Sequence, residues 1–159
     1  MRRIILLAAA LAAGCAASPR QERTPVAFDA TRDDSCYTVD LFTKVSIRRP
    51  GGDVPEAWRA FSGRWGGGAW EGQWCHDLYV LDIRPDGQVE LVETYAPHLQ
   101  WGKRATAFRR TARIDDDGRL RLAYGRVRLE YWVENGMLYG ARDETGLGKH
   151  RIAMVRRDA

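Results

Sequence analysis

The sequence has few of the residues that most often carry chemistry. Its 159 residues include three cysteines and three histidines. His76, His98 and His150 lie far apart, and no HxH, HExxH or CxxC spacing occurs, so the close-set ligands of a metal site are missing. No metal and no cofactor is expected. Gly66-Gly67-Gly68 is not followed by Lys-Ser/Thr as a phosphate-binding loop would be. Asp115-Asp116-Asp117-Gly118 lacks the glutamate that closes a calcium loop, because the twelfth position is Arg126, and it reads as a solvated turn. Long apolar runs are also missing. The longest, Ile4 to Ala13, reaches only ~15 Å as a helix, half a bilayer, so no spanning helix is expected. Low-complexity tracts and repeats do not occur.

A nucleophile with its base is missing too. Cys75-His76-Asp77 has the right residue types, but neighbours on a strand point to opposite faces. No catalytic residue, and hence no enzyme, is expected.

What is present begins with an address. Met1-Arg2-Arg3 is a basic n-region, Ile4 to Ala13 an apolar h-region, and small residues follow, as in a bacterial secretory signal. Leu11-Ala12-Ala13-Gly14-Cys15 resembles a lipobox, which implies lipidation at Cys15 and a membrane partner reached through that anchor. Residues 1–14 are then the signal. Ala16 is not Asp, which by analogy with Gram-negative sorting implies a periplasm-facing lipoprotein of the outer membrane. Ordinary cleavage near Ala16 or Ala17, giving a soluble periplasmic or secreted protein, is the alternative. The formal charge of +4 falls to +2 once the two signal arginines are removed. No basic footprint for nucleic acid remains.

Cys36 and Cys75 form an even pair in an exported chain, which favours a disulfide over two buried thiols. Residues 15–35, polar and charged with two prolines, read as a flexible tether.

From residue 36 to 159 the pattern is that of one domain. Asp53-Val54-Pro55-Glu56 is a capping-box pattern and predicts a short helix over Pro55–Ser62, ended by Gly63 in the left-handed conformation. The period then changes to two. Trp70, Gly72 and Trp74 alternate with Glu71 and Gln73. Leu78–Ile83 reads as a buried strand, and strands follow over Thr106–Ile114, Leu120–Tyr124, Val127–Val133, Met137–Arg142 and Lys149–Arg156. Pro85-Asp86-Gly87, Asp117-Gly118 and Asn135-Gly136 supply hairpin turns. About eight short antiparallel strands predict an all-β, up-and-down barrel, which has no open edge.

The order of a short helix, Gly63-Arg64-Trp65, a meander and a late Arg156 resembles the lipocalin and wider calycin pattern. That resemblance implies that Trp65 plugs one barrel end and that Arg156 packs across it. The run from Cys36 to Arg156 is also similar to a group of uncharacterised bacterial secreted proteins. It shares with them the CYTV segment, the GRWGGGAWEGQWCHDL run, the Trp101-Gly102 loop and Phe108-Arg109-Arg110-Thr111.

Six tryptophans are many for this length. Trp58, Trp65 and Trp74 read as core. Trp70 and Trp101 lie beside glycines near a rim, where aromatics with a few polar groups make a ligand mouth. With Tyr95, Lys103 and Arg104 they would take an apolar or aromatic ligand with an anionic end. Arg110 shares a face with Phe108 and Ile114. If that face is the lumen, Arg110 needs an anionic ligand or a carboxylate partner, Glu93 or Glu130. The expected function is non-catalytic binding of a small apolar or amphipathic ligand in the bacterial envelope. The rival is a solid-packed interaction or structural module that contacts another envelope protein.

Overall fold

The computed structural model describes residues 45–98, 100 and 102–157. A short helix, α1 (Glu56–Arg59), precedes eight strands: β1 (Gly63–Trp70), β2 (Trp74–Ile83), β3 (Gln88–Tyr95), β4 (Thr106–Ile114), β5 (Leu120–Tyr124), β6 (Val127–Glu134), β7 (Met137–Glu144) and β8 (Gly148–Arg157). Each strand pairs antiparallel with the next, and β8 returns to β1, closing the barrel. The fold is therefore an all-β, eight-stranded closed barrel with one short helix, consistent with a lipocalin-like barrel. Closure satisfies the hydrogen bonds of both would-be edges.

Alternation decides which side chains face in. Leu120 and Leu122 of β5, Leu129 and Tyr131 of β6, Leu138 of β7 and Ile152 and Met154 of β8 are all buried in one core with Trp65, Leu78, Leu91 and Ile114. These side chains fill the barrel interior. Val45 and Ile47 pack outside the wall, on Tyr79, Leu81 and Val92, and the Arg48 N–H donates to the Leu81 carbonyl at 2.7 Å.

The α1 end is stoppered. Trp65 is fully buried, and its Nε1–H donates to the Phe61 carbonyl at 2.7 Å. Barrel closure pairs Trp65 with Arg156, whose guanidinium carbon sits 4.3 Å from the centroid of the Trp65 ring. Arg156 donates to the carbonyls of Ser62 and, at 2.6 Å, Ala60. These acceptors lie in the turn after α1, so one side chain ties β8, the indole and the helix exit together.

Three local expectations need correction. The helix is shorter than Pro55–Ser62. It begins at Glu56 behind Pro55, which holds an extended ψ of 139°, and no side chain caps it. Asp53 therefore stands too far upstream for its carboxylate to reach the first helical N–H groups. Gly63 does not end the helix. Phe61 and Ser62 donate to the Trp58 and Arg59 carbonyls in a tight final turn, and Gly63 opens β1 at φ +121° beside the Arg156 side chain. Trp70 to Trp74 is not one strand. Glu71 and Gly72 take positive φ, 50° and 70°, in a tight turn between β1 and β2. The two tryptophans pair across that hairpin, which imitates the alternation of a single strand. Gly66-Gly67-Gly68 sits at a register shift between Trp65 and Gly68, a bulge that bends β1.

Candidate functional site at the barrel mouth

The end opposite α1 carries the β1–β2, β3–β4, β5–β6 and β7–β8 connections. It opens on a cavity of about 290 Å³. Trp70, Glu71 and Gln73 from the first hairpin and Trp74 at the start of β2 form one side. Arg142 and Glu144 of β7, Leu147 of the last hairpin and His150 of β8 form the other, and Lys103 reaches in from the long loop. Leu147, 68% exposed, is one of two large apolar side chains left in water among the described residues. Trp70 is buried, yet its Nε1–H has no hydrogen-bond partner. An unmade hydrogen bond on a buried donor costs roughly 1–3 kcal/mol.

Beneath the cavity lies a layer of rings. Trp74 and Tyr95 have centroids 4.6 Å apart, His76 and Tyr95 4.6 Å, and Trp70 and His76 5.5 Å. The layer is polar as well as aromatic. His76 Nδ1 lies 2.9 Å from the Thr94 carbonyl, which can only accept, so Nδ1 carries the proton. Nε2 is then the acceptor, and the Tyr131 hydroxyl donates to it at 3.0 Å. Complete burial holds the His76 imidazole neutral, with its pKa lowered to about 3; Arg142 adds in the same sense, while the bond to Thr94 opposes it.

Glu93 is fully buried in the same layer. Its Oε2 accepts from Arg110 Nε at 2.8 Å, and its Oε1 accepts from the Tyr95 hydroxyl at 3.2 Å. Burial raises the Glu93 carboxyl, while Arg110, Tyr95 and Arg142 pull the other way. Tyr95 accepts in turn from Arg142 Nη1 at 3.3 Å and lies 3.3 Å from the Tyr124 hydroxyl. Burial, reinforced by Glu93, pushes the Tyr95 and Tyr131 hydroxyls well above their ordinary value. Neither ionises near neutral pH, so neither offers a phenolate nucleophile.

The sequence-derived ligand residues separate in the structure. Trp70 and Lys103 line the cavity. Tyr95 lies beneath it, joined to Arg142. Arg110 faces inward but spends its charge on Glu93 and lies 3.5 Å over the Tyr124 ring. Of its two foreseen carboxylate partners, Glu130 is instead held by Arg119 and Arg121. Arg104 is exposed and does not line the cavity. Trp101 lies outside the described residues, as do Cys15 and Cys36.

Sequence reasoning missed Arg142, Glu144, Leu147 and His150, and it placed Trp74 in the core rather than at the mouth. The alternation that puts Leu138 inside also puts Arg142 and Glu144 inside. That signal was present, but a charged pair at a strand end reads as solvated until the barrel is closed. Cys75 lies near the start of β2, and Cys36, its expected partner, lies outside the described residues. The aspartate turn is held by Arg121, which reaches Asp115 at 2.8 Å and Asp117 at 2.6 Å and lowers the Asp117 carboxyl to about 2. No group of three or more potential metal ligands occurs among the described residues.

Compared with known proteins, the chain matches no family model, no curated protein and no solved structure.

Proposed function

We propose that this is an exported, lipid-anchored, non-catalytic lipocalin-like protein of the bacterial envelope that binds a small apolar or amphipathic ligand at the open end of its barrel. The observation that carries the proposal is the cavity of about 290 Å³, walled by Trp70, Trp74 and Leu147. Its size is at the lower edge of the roughly 300–1,000 Å³ common for small-molecule sites, and such sites pair apolar walls with a few fixed polar groups. Here those groups are the Arg142 guanidinium and Lys103. The core beyond the ring layer is packed with large side chains, which favours a short ligand or the end of a longer one over a molecule enclosed in a hollow barrel.

Native mass spectrometry of the domain from its own periplasm should find a bound small molecule. An apolar fluorescent probe should compete with it, and Leu147→Asp should weaken probe binding by about tenfold or more, the equivalent of ~1.4 kcal/mol. No co-purified ligand and no dependence on Leu147 would sink the proposal.

The same packed interior favours a second reading, a rim that contacts another envelope protein. A wider hollow of about 570 Å³ on the β5–β8 side, lined by Arg121, Arg128, Glu130, Asp143 and Lys149, supplies a charged surface for it. In that case Leu147→Asp would abolish a cross-link to a partner protein and leave small probes unaffected.

A further inference from the structure

Arg142 is where the open cavity meets the buried polar layer. It is only 8% exposed. Nη1 points down and donates to the Tyr95 hydroxyl at 3.3 Å. The opposite fork, Nε and Nη2, converges on a single oxygen, Glu144 Oε2, at 3.3 and 2.6 Å. A guanidinium fork can engage two oxygens in parallel, so Glu144 leaves it half used. Glu144 is the last residue of β7, and its side chain is more exposed than that of Arg142, 25% against 10%. The other acid at the mouth, Glu71, is tied to β8, with its Oε1 accepting the Arg151 backbone N–H at 2.8 Å.

We propose that Glu144 is an internal stand-in for the acid group of the ligand. The ligand class is an aromatic or acyl body ending in one carboxylate or sulfonate. Its body enters between Trp70, Trp74 and Leu147, its acid takes the outer fork of Arg142, and the Glu144 carboxylate turns out to water. This inference rests on the ligand-binding reading of the mouth.

The physical case is one of continuous pairing. A buried guanidinium without an anion is strongly unfavourable. Exchanging one anion for another keeps Arg142 paired in both states, so the electrostatic terms nearly cancel and the apolar walls supply the affinity. The acid supplies selection. A neutral body leaves Glu144 in place and gains no fork, and a cationic end meets Arg142 and Lys103. Tyr95, held by Glu93, keeps the guanidinium aimed at the mouth whichever anion is bound.

Two probes with one ring system test this on the mature full chain: 8-anilinonaphthalene-1-sulfonate and its uncharged analogue N-phenyl-1-naphthylamine. Glu144→Gln should tighten the sulfonate probe by about tenfold and leave the neutral probe within about twofold. Arg142→Gln should weaken the sulfonate probe by a similar factor and spare the neutral one. Arg142→Gln also disturbs the buried layer, so the rim variant Glu144→Gln is the decisive one. If Glu144→Gln changes neither probe, or improves both equally, the exchange is wrong while the mouth remains a binding site. If neither probe binds, or binding ignores Leu147→Asp, the mouth reading fails and the exchange with it.

Discussion

His76 shows how one buried side chain sets a pH dependence. The imidazole is neutral in the folded protein because burial lowers its pKa to about 3, whereas its ordinary value is 6.5. The unfolded chain therefore binds the extra proton first as the solution is acidified. The contribution of His76 to stability is present above about 6.5 and is lost as the pH falls towards about 3, by up to a few kcal/mol. Asp77 and Glu93 act in the opposite sense. Burial raises both carboxyls, so their contribution is present below the ordinary carboxylate range and falls as the pH rises through the raised folded values. The difference between proteins isolates the histidine. Urea unfolding at pH 7 and pH 4.5 should show wild type losing more stability than His76→Gln. Equal losses would mean that the His76 environment is not dry.

Trp65 makes the other residue-scale prediction. Its indole is buried under the α1 turn and crossed by Arg156. Emptying such a site costs ~3–5 kcal/mol, so Trp65→Ala should lower the denaturant midpoint accordingly. A loss below ~1 kcal/mol would mean that the stopper contributes little to holding the barrel shut.

Among the elements, the β1–β8 seam depends on backbone approach. Gly68 faces the Ala153 carbonyl so closely that an added Cβ would collide with it, with Ile152 and Met154 also near. Gly68→Ala should destabilise by ~1–3 kcal/mol through overpacking. It should also speed hydrogen exchange at Arg64–Gly66, the residues paired with β8. Gly72→Ala is the contrast. Gly72 sits at φ +70° in the β1–β2 turn with no atom near its would-be Cβ. Its cost, ~1–2 kcal/mol of left-handed strain, should leave seam exchange unchanged. If both variants loosen the seam equally, close approach is not what Gly68 provides.

The strands themselves were readable because a wall with water on one side enforces period two. Val127, Leu129 and Tyr131 are buried while Arg128 and Glu130 are not. The helix cap and the Trp70–Trp74 stretch misled for a shared reason. Local patterns fit more than one backbone path: the helix opens at Pro55 with no side-chain cap, and Trp70 and Trp74 alternate equally well along one strand or across a tight hairpin.

For the molecule as a whole, the anchor and the disulfide belong to one proposal. If Cys15 is consumed by lipid, Cys36 is the remaining partner for Cys75, and the closed loop of about 40 residues is worth ~4 kcal/mol by chain entropy. Palmitate should label wild type but not Cys15→Ala, and the variant should move to the soluble periplasm. Intact mass should show two alkylatable thiols only after reduction. Label on both proteins, or two thiols without reductant, would break that scheme.

The strands, most of their turns and the pairing of a stopper tryptophan with a late arginine were all legible in the chain before it folded. Alternation, turn chemistry and chain order are local properties, and a meander of neighbours leaves few ways to close. Which arginine stands at the mouth was not legible. Arg110 and Arg142 both lie on inward positions, and nothing in their neighbourhoods ranks one above the other. The pairing of β3 with β4 put Glu93 within 2.8 Å of Arg110, drawing that charge into the buried layer. Closure put Arg142 of β7 beneath the rim beside Trp74 of β2, facing the open cavity. Ion pairing inside a barrel is a contest among residues from different strands, and its outcome depends on distances that exist only once the strands have paired.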